Sequence, residues 1–245
     1  MKKNPLKHLA IIMDGNRRWA RKKGLAIFKG HQLVANEKIE SLVEACIEYQ
    51  IPYITFWAFS TENWKRDQKE INYLMQLFRD SFSKSSQKLH EKGVRIKTIG
   101  DLSRFDEDIQ RQTKDWIEKT KDNNKITVTF ALNYGGRDEI VRAVAALLQD
   151  LQSGKLKLKP SQVAYSKKKR LITEKLFAKY LDTADLPDPD LIIRTGGEQR
   201  MSGFLTWSGI YAEYYFTEVL MPDFDKDELD KALAEFAKRQ RRFGG

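Results

Sequence analysis

The chain has 245 residues, 41 % hydrophobic and 32 % charged, an apolar share that excludes an intrinsically disordered chain. Its 44 Lys and Arg against 34 Asp and Glu leave a net charge of +10, which calls for a negative partner: nucleic acid, an anionic membrane surface or a phosphorylated small molecule. One cysteine, Cys46, and three histidines exclude a disulfide framework and a cysteine-based zinc site, leaving carboxylates and oxygen-seeking Mg²⁺ open.

The elements read off in chain order alternate between strand and helix. His8 to Met13 is a short apolar run, read as a buried strand. It is too short for a signal segment and runs into Asp14, so a reducing, cytoplasmic location is expected. Asp14-Gly15-Asn16 is turn chemistry, with Asp and Asn suited to capping a helix from about Arg17. His31 to Tyr49 is helical, with Val34, Ile39, Leu42, Val43, Cys46 and Ile47 on one stripe. Ile51 to Phe59 is a strand rich in β-branched and aromatic residues. Asp67 to Lys92 is a long helix, Val94 to Ile99 a strand, Phe105 to Lys121 a helix and Ile126 to Leu132 a strand. Arg137 to Gln152 is helical, and residues 153–170 are a basic, irregular connection. Thr173 to Leu181 is a short helix and Leu191 to Arg194 a strand. Phe204 to Trp207 and Tyr214 to Phe216 are candidate short strands, and Asp225 to Arg241 closes the chain as a helix. No linker interrupts this series. The expected fold is α/β, one domain over residues 1–245 with a mostly parallel central sheet surrounded by helices.

Charge is clustered along the chain. Residues 1–30 hold nine Lys or Arg and one acid, Asp14, while residues 155–170 hold seven basic residues and no acid. In open parallel sheets, ligands bind beyond the carboxyl ends of the strands, so the residues following each strand form a test. They are Asp14-Gly15-Asn16-Arg17-Arg18-Trp19, Ser60-Thr61-Glu62-Asn63-Trp64-Lys65-Arg66, Gly100-Asp101, Asn133-Tyr134-Gly135-Gly136-Arg137, and Arg194-Thr195-Gly196-Gly197-Glu198-Gln199-Arg200. Glycine admits close approach of a ligand to the backbone. Arg beside a helix N-terminus makes an anion site. Several such turns around one rim point to a polyphosphate ligand. The chain has no Walker loop, no dinucleotide fingerprint and no nucleophile elbow. Asp182, Asp185, Asp188 and Asp190 fall around Pro187 and Pro189 and read as an ordinary acidic loop rather than a metal-binding helix.

These turns carry a resemblance. Ile12-Met13-Asp14-Gly15-Asn16-Arg17-Arg18-Trp19 resembles the first signature of the cis-prenyltransferases, the undecaprenyl diphosphate synthase family. Gly30-His31, Ala58 to Arg66, Asn133 to Arg137, Asp190 to Ser202, Tyr211-Ala212-Glu213 and Arg241 to Gly245 match its later motifs in order, so the resemblance covers nearly the whole chain.

The resemblance implies a Mg²⁺-dependent enzyme, usually a homodimer. Such an enzyme condenses an allylic diphosphate, here farnesyl diphosphate, repeatedly with isopentenyl diphosphate. The product is a long cis-polyprenyl diphosphate such as the undecaprenyl carrier-lipid precursor. It also implies residue roles. Asp14 binds Mg²⁺ and aids departure of the diphosphate; its bland reading is a helix cap. Gly15, Asn16, Arg17 and Arg18 cradle the allylic diphosphate, with Trp19 as a wall and His31 on the phosphate side. Ser60, Thr61, Glu62, Asn63, Trp64 and Arg66 form the second loop, with Asn63 orienting substrate because an amide is a poor base. Trp19 and Trp64 are equally suited to plain packing. Arg194, Arg200, Met201 and Ser202 match the isopentenyl diphosphate segment, and Glu213 a second metal carboxylate. Arg242 and Gly244 resemble a tail that reaches the partner's active site.

An apolar tunnel for the product is implied as well. Val34, Leu42, Phe56, Leu74, Leu77, Phe78, Phe82 and Leu132 could line it or form plain core, and small Ala58 favours a long product. Two positions depart from the family pattern: Ile27 replaces an Arg before Gly30-His31, and Gly203 replaces an Asn. The basic segment 155–170 suits peripheral contact with a membrane. The alternatives are a non-catalytic accessory subunit of a heteromeric prenyltransferase and a basic nucleic-acid-binding protein. The latter has no recognised binding module in this chain, so no nucleic-acid partner is expected.

Overall fold

The computed structural model describes residues 6–158, 161–163 and 166–239. Six strands form one sheet: β1 (His8–Ile12), β2 (Tyr53–Ser60), β3 (Val94–Ile99), β4 (Ile126–Tyr134), β7 (Leu191–Arg194) and β8 (Glu213–Phe216). Their order is β3-β4-β2-β1-β7-β8 and every pairing is parallel. All six carboxyl ends therefore share one rim. The chain leaves β1 toward β2 on one side and later returns to pair β7 on the other. The switch point of the topology thus lies directly beyond Ile12.

The strands form because their residues suit burial on two faces. All five residues of β1 are buried, as expected for the centre of a parallel sheet covered on both sides. Successive residues alternate faces. Leu9 and Ile11 join a core with Leu42, Val43, Cys46, Leu229 and Phe236, while Ala10 and Ile12 pack with Tyr134, Phe204 and Leu205 on the other side. The first core belongs to α3 (Ile39–Glu48) and α8 (Lys226–Lys238). A third cluster joins α4 (Gln68–Glu91) to α5 (Glu107–Lys119) through Leu74, Leu77 and Ile109. No helix among the described residues is long and apolar enough to cross a membrane.

Several local expectations are corrected. The helix expected from His31 begins earlier, as α2 (Phe28–Leu33), and passes through a π turn at Val34–Lys38 before α3. α1 (Asn16–Lys22) is not capped by a side chain; its N-cap is Gly15 in the left-handed region at φ 102. Phe204 to Trp207 is a turn rather than a strand. Leu205 lies at φ 46, and the ring of Phe204 stacks on Trp57 with centroids 4.9 Å apart, so this segment turns inward to plug the sheet. The basic connection 153–170 is not wholly irregular: β5 (Ser161–Val163) and β6 (Ser166–Arg170) pair antiparallel within it. α6 (Gly136–Gln152) runs as expected, whereas α7 (Glu174–Ala178) is shorter, capped by Thr173. The acidic loop is structural: Asp190 accepts from the N–H groups of Lys7 and His8 at 2.6 and 3.0 Å. The expected tail residues Arg242 and Gly244, and the side chain of Phe82, lie outside the described residues.

Candidate active site

Two cavities meet beyond the carboxyl ends of β1, β2 and β7. The first, about 430 Å³, is a basic basin lined by Asp14, Gly15, Asn16, Arg17, Arg18, Arg21, His31 and Arg66 with Met13. The second, about 530 Å³, begins at Asp14, Asn16, His31, Ser60, Glu62, Asn63, Arg66, Arg194 and Ser202, then turns apolar along Val34, Leu74, Leu77, Phe78 and Leu132. They share Met13, Asp14, Asn16, His31 and Arg66. The whole is a polar, cationic head joined to an apolar body.

Asp14 is placed by the end of β1 and braced by Thr195. The Thr195 hydroxyl accepts from the Asp14 N–H at 2.9 Å and donates to the Asp14 carbonyl at 2.7 Å. Its Oδ2 accepts from Nη2 of Arg194 at 2.9 Å, and its Oδ1 from the Gly15 N–H at 2.6 Å and from Arg18 Nη2 at 3.3 Å. Gly15 suits this turn because its φ is +102, a region L side chains rarely adopt, and a Cβ would come 3.1 Å from the Leu220 Cα. Arg194 closes β7 with its side chain only 7 % exposed. Its Nη1 donates to Ser202 Oγ at 2.9 Å and to the Arg200 carbonyl, so the guanidinium is fixed between the first turn and the last.

Arg17 and Arg66 converge on one carboxylate. Glu70, in the first turn of α4, accepts from Arg66 Nη1 at 2.8 Å and faces Arg17 Nη1 at 3.4 Å. His31 is half-buried with its Nε2 closed off from solvent, and loss of solvation with Arg66 and Arg17 nearby lowers its imidazole to about 4, so it is neutral at pH 7. Its Nε2 has no hydrogen-bond partner, nor do Asn16 Oδ1 and Arg194 Nε. Three buried polar atoms without partners around one junction are costly unless something polar fills it.

The remaining expected residues are dispersed. Asn63 lines the apolar cavity, its Oδ1 accepting from the Ser60 N–H at 3.0 Å in a capping box. Ser60 and Glu62 line the same cavity, while Thr61 does not and packs over Gly135. Trp64 and Trp19 line neither cavity. Trp64 donates to Asn133 Oδ1 at 2.8 Å and sits edge-on to Phe59; Trp19 donates to Asp223 at 2.7 Å. Met201 packs in the core beside Phe204. The side chain of Arg200 is 61 % exposed and pairs with Glu198. Leu42 and Phe56, expected as tunnel or core, are core, fully buried.

Glu213 is not brought to Asp14. It pairs with Leu191, at the start of β7, whereas Arg194 at its end neighbours Ile12. Leu191 lies four residue steps before Thr195, about 13 Å along an extended chain, and Glu213 accepts from Arg239 at 2.9 Å. No group of three His, Cys, Asp or Glu among the described residues could hold a metal. What the junction offers is the Asp14 carboxylate and the unpartnered Asn16 Oδ1. These hard oxygen donors fit Mg²⁺, which takes one or two protein ligands and completes its shell from substrate phosphates and water.

Sequence reasoning missed Glu70, Thr195 and Arg21. Glu70 lies four residues after Arg66 and Arg21 three after Arg18, spacings that share a helix face; Thr195 adjoins Gly196-Gly197.

Comparison with known proteins gives one family. Residues 12–244 match a prenyltransferase family model described as "Putative undecaprenyl diphosphate synthase". An isoprenyl transferase of Clostridium perfringens is 44 % identical over 239 residues, covering 98 % of this chain and 90 % of that one. Among solved structures, lavandulyl diphosphate synthase from Lavandula x intermedia, in complex with dimethylallyl diphosphate, superposes with a TM-score of 0.88 at 32 % identity, covering 98 % of each chain. A probable undecaprenyl diphosphate synthase from Campylobacter jejuni gives 0.77 at 35 % identity, covering 99 % of this chain and 100 % of that one.

Proposed function

The chain belongs to the undecaprenyl diphosphate synthase family and is a prenyltransferase of the cis type, and from that premise we propose that it elongates an allylic diphosphate, farnesyl diphosphate first, with successive isopentenyl diphosphates to a long cis-polyprenyl diphosphate, in a Mg²⁺-dependent reaction. The observation that carries this reading is the joined pair of cavities: a cationic basin and an apolar body sharing Asp14, Asn16, His31 and Arg66. An amphiphile with a diphosphate head and a prenyl tail is the complement of that shape and charge.

The residues divide the work. Arg17, Arg18, Arg21 and Arg66 hold the allylic diphosphate, whose C–O bond breaks as the new C–C bond forms to the terminal alkene carbon of isopentenyl diphosphate. Arg194 and Ser202 face the second substrate's diphosphate. Donors fixed before reaction are most effective where negative charge grows, and Arg194 is fixed by Ser202, the Arg200 carbonyl and Asp14. Neutral His31 contributes a hydrogen bond without adding charge. Mg²⁺ held by Asp14 supplies charge neutralisation for the departing diphosphate. The departing diphosphate takes the proton lost from the isopentenyl unit, which gives the cis alkene, with the Asn63 amide orienting that unit. The lengthened chain extends between α2, α3 and α4 into the apolar cavity, so the protein works in the cytoplasm beside a bilayer that receives a lipid.

Purified protein with Mg²⁺, farnesyl diphosphate and labelled isopentenyl diphosphate tests this, with products sized by mass spectrometry. A ladder ending at one long chain is expected, reduced about a hundredfold or more in Asp14→Ala. No incorporation with dimethylallyl, geranyl or farnesyl primers overturns the reading and turns attention to an accessory role beside a catalytic partner.

A further inference from the structure

The chain from the last turn of α1 into the first residues of α2 is exposed at every residue from Arg21 to Lys29. Within these nine positions lie Leu25, Ile27 and Phe28, exposed by 45, 38 and 40 %, and four cations, Arg21, Lys22, Lys23 and Lys29, with no acid. None of the four cations pairs with a carboxylate among the described residues. A single exposed leucine carries no message. Three large apolar side chains in four positions, rimmed by unpaired cations, have the composition of a segment that lies in a lipid headgroup layer.

Its position suits that role. Arg21 lines the basic basin. The ring of Phe28 stacks on Tyr73 of α4 with centroids 4.4 Å apart, and α4 walls the apolar cavity. The loop therefore hangs beside the mouth that the two cavities share.

We propose that the loop Arg21–Lys29 docks on an anionic bilayer, with Leu25, Ile27 and Phe28 entering the headgroup boundary and Lys22, Lys23 and Lys29 meeting lipid phosphates. The purpose of such docking rests on the proposed function, since a polyprenyl product has to reach lipid; the docking itself is read without turnover. The full-length protein is mixed with phosphatidylcholine vesicles, with and without phosphatidylglycerol. Cys46 is buried, so Ile27→Cys supplies the accessible thiol for an environment-sensitive dye.

The expected result is co-sedimentation with the anionic vesicles, weakened by salt, together with a blue shift of the dye. Lys22→Ala/Lys23→Ala, folded by circular dichroism, is expected to bind roughly thirtyfold more weakly. Equal binding to neutral vesicles, no binding at all, or binding with an unshifted dye each overturns the proposal. The last outcome assigns membrane contact to another surface, such as the basic segment 155–170. A protein that docks but transfers no prenyl group leaves this inference standing and removes the proposed function.

Discussion

Both carboxylate oxygens of Asp14 are already engaged, by Arg194, Arg18 and the Gly15 N–H. A residue read as either helix cap or ligand is held by the turn after β7, a strand whose place beside β1 no local pattern reveals. Arg194 and Ser202 were legible by motif, while Thr195, which braces Asp14 on both backbone polar groups, gave no signal beyond adjoining two glycines.

Two histidines make a measurable pH dependence. His8 and His31 are both lowered to about 4, chiefly because burial disfavours the imidazolium. Above about pH 6.5 both are neutral in folded and unfolded chains, and stability is complete. As pH falls from 6.5 toward 4, the unfolded chain binds protons that the fold refuses, and stability is lost. The loss is about 2 kcal/mol per site at about pH 5. Urea midpoints at about pH 7.5 and 5 check this, with His31→Gln expected to remove roughly half the difference. A midpoint that does not move between the two values contradicts it.

At the scale of elements, the strands were legible because a parallel interior demands continuous apolar runs, and β1 and β7 have no exposed residue. The helical stretch from Phe28 was legible in existence but not in phase. Its π turn at Val34–Lys38 inserts a residue into the helical repeat, and Val34, Ala35 and Ile39 line the cavity around it. Periodicity could not separate these from Leu42, which sits on the same stripe yet is core. Glu213 meets the same limit: register between β7 and β8 is a tertiary property, so the sequence alone does not say that this carboxylate pairs with Leu191, three residues before the end of β7.

The distinction between core and cavity wall is open to test. Ala58 lines the cavity from β2 opposite Leu77 and Phe78 on α4. Ala58→Phe places a ring in that space and is expected to shorten the longest product by at least one isoprene unit while initiation on farnesyl diphosphate persists. Leu42→Ala removes core packing instead and is expected to cost about 2–5 kcal/mol of stability while leaving the product ladder unchanged. Identical ladders from Ala58→Phe and wild type show that the growing chain does not occupy this cavity.

The whole molecule leaves one side unfinished. Val141, Val144 and Leu148 of α6 are 67, 43 and 50 % exposed, at spacings of three and four that put them on one helix face. Ile210 and Tyr211 are 69 and 70 % exposed in the segment that abuts the start of α6, where the Gly136 N–H donates to the Gly203 carbonyl at 2.8 Å. That segment leads into β8, an edge strand of the sheet, and native proteins do not leave large apolar faces to solvent without cause. A second copy of this chain, meeting the first across α6 and the 210–216 edge, is the economical cover, and it agrees with the homodimer implied by the motifs. A stable pair needs about 800 Å² from each partner. Light scattering of the purified protein is therefore expected to give twice the chain mass at micromolar concentration. Val144→Glu/Leu148→Glu puts two like charges on each face and is expected to give monomers with unchanged circular dichroism. If the tail after Arg239 completes the partner's site, the same variant loses most of its turnover although neither position touches either cavity. A wild-type chain that stays monomeric, or a monomeric variant that keeps full turnover, separates assembly from catalysis in this protein.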